Sequence, residues 1–442
     1  MAHKINILYS ILDFNLQIGK KKYKIKIKMK RHVCFVSFFA ILWLSIFFPK
    51  YALPQLILGQ YEDEAPFRTW NTLGISTGAS LAMGEARFTL ASDCSVALTN
   101  PALLSNLPKI TFSLSSCVSA ASFFKYSIIN TGPLYNEENM SQGFYALDFA
   151  GVSVNLKEWA LALNIGLLEN YDRPRVESKY PASGQVQYML NLDQEGILKN
   201  INFSLSRKLG KNFSVGIGFN YIYGYLEKNI EEKWTKSNIT ITDKKSHDFK
   251  GFYVNGGLVV YLSDALTVAG VFRTPYTKKS DSKSLLRYYS PQGKTDIKIE
   301  ASAQNSYKQP LVVGLGLSYK FSKVFKAAAD LSFFNWAKYN VYYFEEELER
   351  DFKDVVKISA GAEYMSSIWA FNQEIKAPLR IGISYDPQPM REPNSHYLYF
   401  SFGAGIYVGK FLLDAGALIG NERGSGNALA ARRIAFSLSF RM

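Results

Sequence analysis

The sequence predicts an all-β protein: a transmembrane antiparallel β-barrel of about 14 strands with an N-terminal hatch, or plug, inside its lumen. Three observations predict it. From Ile110 to Met442, apolar residues recur at every second position in strand after strand, the period of a pleated ladder with one apolar face. The links between these strands are alternately long and very short, the arrangement of a membrane barrel whose tight turns lie at one end. The stretch from Gly84 to Leu107, GEARFTLASDCSVALTNPALLSNL, is neither a good helix nor a good strand. Pro101 removes a backbone donor and pushes Asn100 toward extended geometry, and small and polar residues interrupt the apolar ones. A compact segment of this kind ahead of many two-faced strands is expected to sit within a closed sheet.

Composition bounds the alternatives. The 442 residues are enough for two or three soluble domains or for one large barrel. Aromatics are 15% of residues and charged residues only 20%, where a soluble domain carries about a quarter. Past residue 50 no uncharged apolar run reaches the ~18 residues of a spanning helix, which excludes a helical membrane protein. The net charge of +14 does not point to nucleic acid, because residues 1–50 hold nine Lys, one Arg and one Asp, a net +9. That basic start precedes the uncharged run VCFVSFFAILWLSIFF, which reads as a secretory signal. Residues 1–28 are expected to be either an upstream over-call of the start codon or an extended basic leader. Residues 29–59 form the signal peptide, 60–108 the hatch and 109–442 the barrel. Cys94 and Cys117 either pair in an oxidising compartment or stay as buried thiols.

The strands follow from alternation. Ile110, Phe112, Leu114 and Val118 mark the first, residues 143–156 the second, and Trp159 to Leu167 the third. Ile201, Phe203 and Leu205 mark the fourth, and Phe213 to Tyr225 the fifth. Phe252 to Leu262 and Leu266 to Phe272 supply the sixth and seventh. Leu311 to Phe321 and Phe325 to Phe333 follow, then Val356 to Tyr364 and Leu379 to Tyr385. Leu398 to Val408, Phe411 to Ile419 and Ile434 to Met442 complete the set. The opposite faces carry Asn202, Asn220, Asn255, Asp330, Lys357, Glu363 and Asp414 among glycines, as a lumen does.

The long links are 122–142, 172–195, 229–247, 275–309 and 338–354; the short ones include Lys157-Glu158, Gly210-Lys211, Ser263-Asp264, Ser322-Lys323 and Gly409-Lys410. Ser366–Ala377 is the exception, a long link at the short end. Aromatics gather near the long-link ends, at Tyr221, Tyr223, Tyr225, Trp336, Tyr339, Tyr342, Tyr343, Tyr397 and Tyr399. Their amphipathic rings suit the headgroup level. In the second strand the apolar phase flips from Tyr145, Leu147 and Phe149 to Val152, Val154 and Leu156, which predicts a bulge near Gly151; Gly166 is the weak point of the third strand. Both are candidate gate positions.

Enzymatic signals are nearly missing, and no constellation supports an outer-membrane protease or acyltransferase. Two of the four His lie in the leader, leaving little for a triad or a metal site, and no cofactor is implied. Gly403-Ala404-Gly405 with Gly409 lacks nucleotide-loop spacing and leads into a strand. Glu345, Glu346, Glu347 and Glu349 read as a solvated acidic face.

MGEARFTLASDCSVALTNPALLSNL resembles the N-terminal hatch of the FadL/OmpP1/TodX outer-membrane transporters of long-chain fatty acids and hydrophobic compounds. Asn100, Pro101 and Ala102 match the family's Asn-Pro-Ala, and Leu103 stands where Gly is usual. QPLVVGLGLSYKF with FKAAADLSFFNW, PLRIGISYDPQP and FSFGAGIYVGKFLLDAGALIG resemble its later strands, so the similarity spans roughly residues 70–442. The resemblance implies passive, hatch-gated uptake of hydrophobic small molecules or fatty acids, released laterally through the wall. It places a monomer in the outer membrane of a diderm bacterium, among lipid and lipopolysaccharide, inserted by the barrel-assembly machinery. Arg273, Lys320 and Arg380 are candidates to meet a ligand carboxylate, against an ordinary internal ion-pair network. Two other functions remain open: a FadL-like scaffold for secretion or attachment partners, and a general porin.

The face assignment is testable. Leu413→Lys, pointing into lipid, should cost roughly 2–4 kcal/mol in unfolding from micelles, while Asp414→Asn should be mild. A reversal would exchange inside and outside.

Overall fold

In the computed structural model, which describes residues 9–18, 21–30, 73–123, 140–182, 185–348, 351–370, 373–392, 394–424 and 430–442, the alternating strands form one antiparallel cylinder. They are β1 (Ile110–Phe123), β2 (Met140–Leu156), β3 (Trp159–Asn170, continued by Arg173–Ala182), β4 (Gln185–Lys208), β5 (Phe213–Trp234) and β6 (Ile239–Tyr261). Next come β7 (Leu266–Arg273, continued by Tyr276–Ser290), β8 (Thr295–Gln309 with Val312–Lys320), β9 (Phe325–Phe334) and β10 (Val355–Ala370). β11 (Gln373–Pro387), β12 (His396–Val408), β13 (Phe411–Arg423) and β14 (Ala430–Arg441) complete it. Each strand pairs with the next, and β14 pairs with β1 from Ala431–Ala121 to Arg441–Thr111, so the cylinder closes. A further hairpin joins Tyr9–Ile18 to Lys21–Lys30, and Lys28 of its second strand pairs with Trp369 of β10. Residues 31–72, and with them most of the expected signal peptide, lie outside the described residues.

The two faces are inverted relative to a water-soluble protein. Large apolar side chains face outward, with Ile381 66% and Leu315 60% exposed, while Asn202, Ser204, Asn220 and Asn255 are fully buried within. An apolar belt of this extent is stable only against hydrocarbon. Leu413 faces out and Asp414 in, as the alternation requires. No helix among the described residues is long and apolar enough to cross a membrane.

Three of the expected long loops are sheet. β3–β4, β5–β6 and β7–β8 continue as paired ribbons, with rungs such as Tyr188–Trp234, Trp234–Ile239 and Ser290–Thr295. Above the membrane the outer face meets water instead of lipid, so the period-two apolar signal vanishes although the ladder persists. The Ser366–Ala377 exception also dissolves: β10 and β11 stay paired to Ala370–Gln373, leaving a two-residue link.

The aromatic belt is smaller than the sequence suggested. Tyr221, Tyr225 and Tyr342 face outward, but Trp336, Tyr339, Tyr343, Tyr397 and Tyr399 are buried. Tyr397 and Tyr399 lie on the inward parity of β12 and stack at 5.5 Å between ring centroids. Lys278 is buried beneath the long-link end, its ammonium 4.7 Å from the Phe249 ring centroid and 4.9 Å from that of Tyr307. It donates to the Tyr171 hydroxyl at 3.0 Å and pairs with Glu169 at 3.5 Å. The Tyr171, Phe249 and Tyr307 rings thus surround the Lys278 ammonium at the long-link end.

Candidate functional site

Residues 73–107 lie inside the cylinder, almost all buried. Their only α-helix is α1, Gly78–Ala82; two 3-10 turns, Cys94–Leu98 and Pro101–Asn106, follow. Asp93 caps the first by accepting from the Ser95 amide. Asn100 caps the second by accepting from the Ala102 amide at 3.2 Å, with Pro101 at its first position, where the missing donor costs nothing.

The segment is seated on pairs of glycines facing each other across neighbouring strands. Gly216 (β5) opposes Gly257 (β6). A β-carbon on Gly216 would meet the Ala102 nitrogen at 2.4 Å, and one on Gly257 the Asn100 Oδ1 at 1.9 Å. Gly361 (β10) opposes Gly382 (β11), and there β-carbons would strike the Met83 carbonyl oxygen at 2.3 Å and the Gly84 nitrogen at 2.1 Å. Gly403 (β12) opposes Gly416 (β13), under the Ala82 side chain and the Gly78 carbonyl oxygen. At each seat, backbone lies on backbone.

Polar groups tie the segment between these seats. The Arg87 guanidinium donates to the carbonyls of Leu73 and Ile75, folding the start of the segment back on itself. Asp330 of β9 accepts from the Arg87 and Phe88 amides at 2.6 and 2.9 Å. Lys357 of β10 pairs with Glu85, which also accepts from Ser76 at 2.5 Å. An asparagine ladder crosses the wall from Asn164 to Asn202, Asn220 and Asn255, and ends on the Ala97 carbonyl at 3.0 Å. Cys94 and Cys117 are free and buried, with the Cys94 thiol on the Thr111 carbonyl at 3.2 Å.

One seam interrupts the wall. The β2–β3 ladder runs from Leu156–Trp159 to Phe149–Gly166 and stops. Beyond that rung, among the described residues, Met140–Leu147 pairs only with β1 and Leu167–Asn170 only with β4. Each strand carries a bulge within two residues of the break: Asp148 is the extra residue opposite Ser115/Ser116, and Leu168 the extra residue opposite Leu198/Lys199. Bulges bend strands and end pairing. The segment touches the seam from within. A β-carbon on Gly166 would lie 2.1 Å from Ile75 Cδ1, and Asp148 pairs with Arg433 at 2.7 Å, whose guanidinium also reaches the Ser76 carbonyl.

The predicted residues meet different fates. Asn100, Pro101 and Ala102 form one seated turn. Gly166 sits on the last rung of the seam, but the β2 bulge is at Asp148, three residues before Gly151. Phe149 is buried in the lumen, not on the apolar outer face, because the bulge turns it inward. Gly151 instead leaves room for the Asn164 side chain. The three cations are not brought together. Arg380 bonds Glu363 and Asp414 at 2.7 and 2.6 Å, the internal network. Arg273 lies over the Tyr253 and Tyr276 rings at the long-link end. Lys320 is exposed at the tight-turn rim, eight residues further along β8 than the Val312 opposite Arg273, or about 26 Å. Sequence reasoning missed Ile75, Arg87, Asp148 and Arg433; an Arg amid a small-residue segment was the available signal.

Comparison with known proteins places this geometry. A family profile described as BamG matches residues 74–428. The chain belongs to the BamG family. No curated protein matches it in sequence. Among solved structures it is similar to the Pseudomonas putida toluene transporter TodX, at 15% identity and a TM-score of 0.62, covering 84% of this chain and 99% of that one. A Pseudomonas aeruginosa FadL homologue aligns at 15% identity and 0.59, covering 84% and 99%. The Ralstonia pickettii toluene transporter TbuX aligns at 13% and 0.57, also covering 84% and 99%. The barrel of this chain therefore shares the fold of those solved structures.

Two outcomes follow. Gly382→Val or Gly257→Val should lower stability by about 1–3 kcal/mol through overpacking, measured by denaturant unfolding in micelles. Gly270→Val should be near neutral, since nothing lies within 4 Å of its β-carbon position. Asp414→Asn should not be mild after all: it weakens the bond to buried Arg380 and should cost about 1–3 kcal/mol.

Proposed function

We propose that this chain is an outer-membrane protein of a diderm bacterium that takes up hydrophobic small molecules, long-chain fatty acids or aromatic hydrocarbons, and releases them sideways into the membrane. Residues before about 60 act as a leader removed on export, residues 60–108 act as the hatch, and the barrel-assembly machinery inserts residues 109–442. The observation that carries this is the seam: the wall parts at the Phe149–Gly166 rung, and hatch residue Ile75 rests on Gly166 there. A small shift of residues 73–76 would uncover an exit through the wall at membrane depth. A hydrophobic solute leaving by that route never has to dissolve in water. The solved barrels of like fold named as toluene transporters support the substrate class.

The test locks the contact. A double substitution, Ile75→Cys with Gly166→Cys, should abolish uptake of a labelled long-chain fatty acid when oxidised and recover it on reduction, with the disulfide confirmed by mass. Undiminished uptake by the oxidised barrel would contradict lateral release at this seam.

A second role, a scaffold for partner proteins, is favoured by the closeness of the three glycine seats, which suit a fixed filling better than a moving one. Lipid extracted from the purified barrel separates the two. A transporter should carry hydrophobic ligand, whereas a scaffold should carry none and retain a stoichiometric protein partner. Large stable conductance would instead indicate a porin.

A further inference from the structure

At the tight-turn end the β10–β11 hairpin outruns the wall on its β9 side. The β9–β10 ladder ends at Phe325–Tyr364, and the β11–β12 ladder begins at Leu379–Ala404. Between these limits β10 and β11 remain paired with each other from Met365–Pro378 to Ala370–Gln373. On its β9 side the hairpin thus stands six rungs, about 20 Å, past the last rung of the wall, whereas on its other side β12 continues to Val408 in pairing with β13. One bond, from the Met365 amide to the Val324 carbonyl at 2.7 Å, marks where β10 leaves the wall.

A projecting ribbon with open edges is a template for strand pairing, and proteins normally shorten or cover such edges. Here the edge is extended. Trp369 near its tip is 52% exposed and faces Glu374 across the ribbon. The edge also accepts a strand in this structure: the leader strand Lys21–Lys30 lies against β10, with Lys28 pairing antiparallel to Trp369. That leader strand, KKYKIKIKMK, alternates cationic with apolar residues.

We propose that the Met365–Pro378 hairpin is a docking site for an extended strand of a partner protein on the tight-turn side, which adds to the open edge of β10 by backbone pairing. The strand it fits alternates basic and apolar side chains, with a cation beside Trp369 and Glu374. Removal of the leader on export, before the barrel forms, leaves this edge free for another strand. The inference rests on that removal and not on transport.

The exported protein, purified in micelles, is probed with a synthetic peptide KKYKIKIKMK by hydrogen exchange. The mass of its N-terminal peptide reports leader removal separately. The expected result is at least tenfold slower exchange of amides 365–370, saturating at one peptide per barrel, with amides around Lys211 unchanged. In native membranes the same amides should be protected without peptide. Ser367→Pro should abolish the protection. Should that variant not assemble, Glu374→Lys should weaken peptide binding several-fold. Exchange unaffected by saturating peptide would overturn the proposal, as would tighter binding by Glu374→Lys. Protection produced by phospholipid vesicles alone would indicate a membrane surface, and protection rising with barrel concentration a second copy; either would also overturn it.

Discussion

The structure depends on close approach between the backbone of the lumenal segment and the backbone of the wall. A fourteen-stranded cylinder lined with ordinary side chains would hold residues 73–107 away from its wall by at least one side-chain length. Glycines opposed across adjacent strands remove that standoff at Gly216/Gly257, Gly361/Gly382 and Gly403/Gly416. Glycine inside a strand weakens it, because more chain entropy is lost and nothing packs. Three such pairs facing one segment are therefore best understood as seats for it, not as features of the sheet itself.

Charge fixes what shape alone leaves free. Lys357 of β10 pairs with Glu85 of the segment, and Asp330 of β9 accepts from the segment's Arg87 and Phe88 backbone amides, in a lumen where an unpaired ion would be costly. Buried ion pairs contribute little net stability, yet losing one partner costs several kcal/mol. Such a network specifies position more than it adds strength. The same logic absorbs Arg380, whose two carboxylate partners leave it committed to the wall. At the seam between β2 and β3 the ladder ends, and the start of the segment, at Ile75 and Ser76, meets the wall there through Gly166 and Arg433.

Much of the fold was legible because period-two alternation is set by one-sided contact with hydrocarbon, and all fourteen strands carry it. Legibility ended where that contact ended. In the ribbons beyond Glu195, Asn229 and Pro275 the outward face meets water and carries residues such as Lys279, Asp281 and Lys283 in place of apolar ones, and the buried tyrosines of β12 look like belt residues until parity is applied. The site was less readable. Asn100-Pro101-Ala102 announced a turn, since its chemistry is local. The seam was visible only as a phase change, and the wrong residue was assigned to it: Asp148 and Phe149 both turn inward, and nothing local distinguishes that from a bulge at Gly151. The glycine seats join residues more than a hundred positions away from the segment they carry, and no local pattern encodes such a pairing.

Ionic conductance of the unaltered protein in a planar bilayer tests most directly whether the segment fills the lumen. A segment seated on three glycine pairs predicts a barrel that inserts and passes essentially no steady current. A stable, voltage-independent open channel in the unaltered protein would contradict the account.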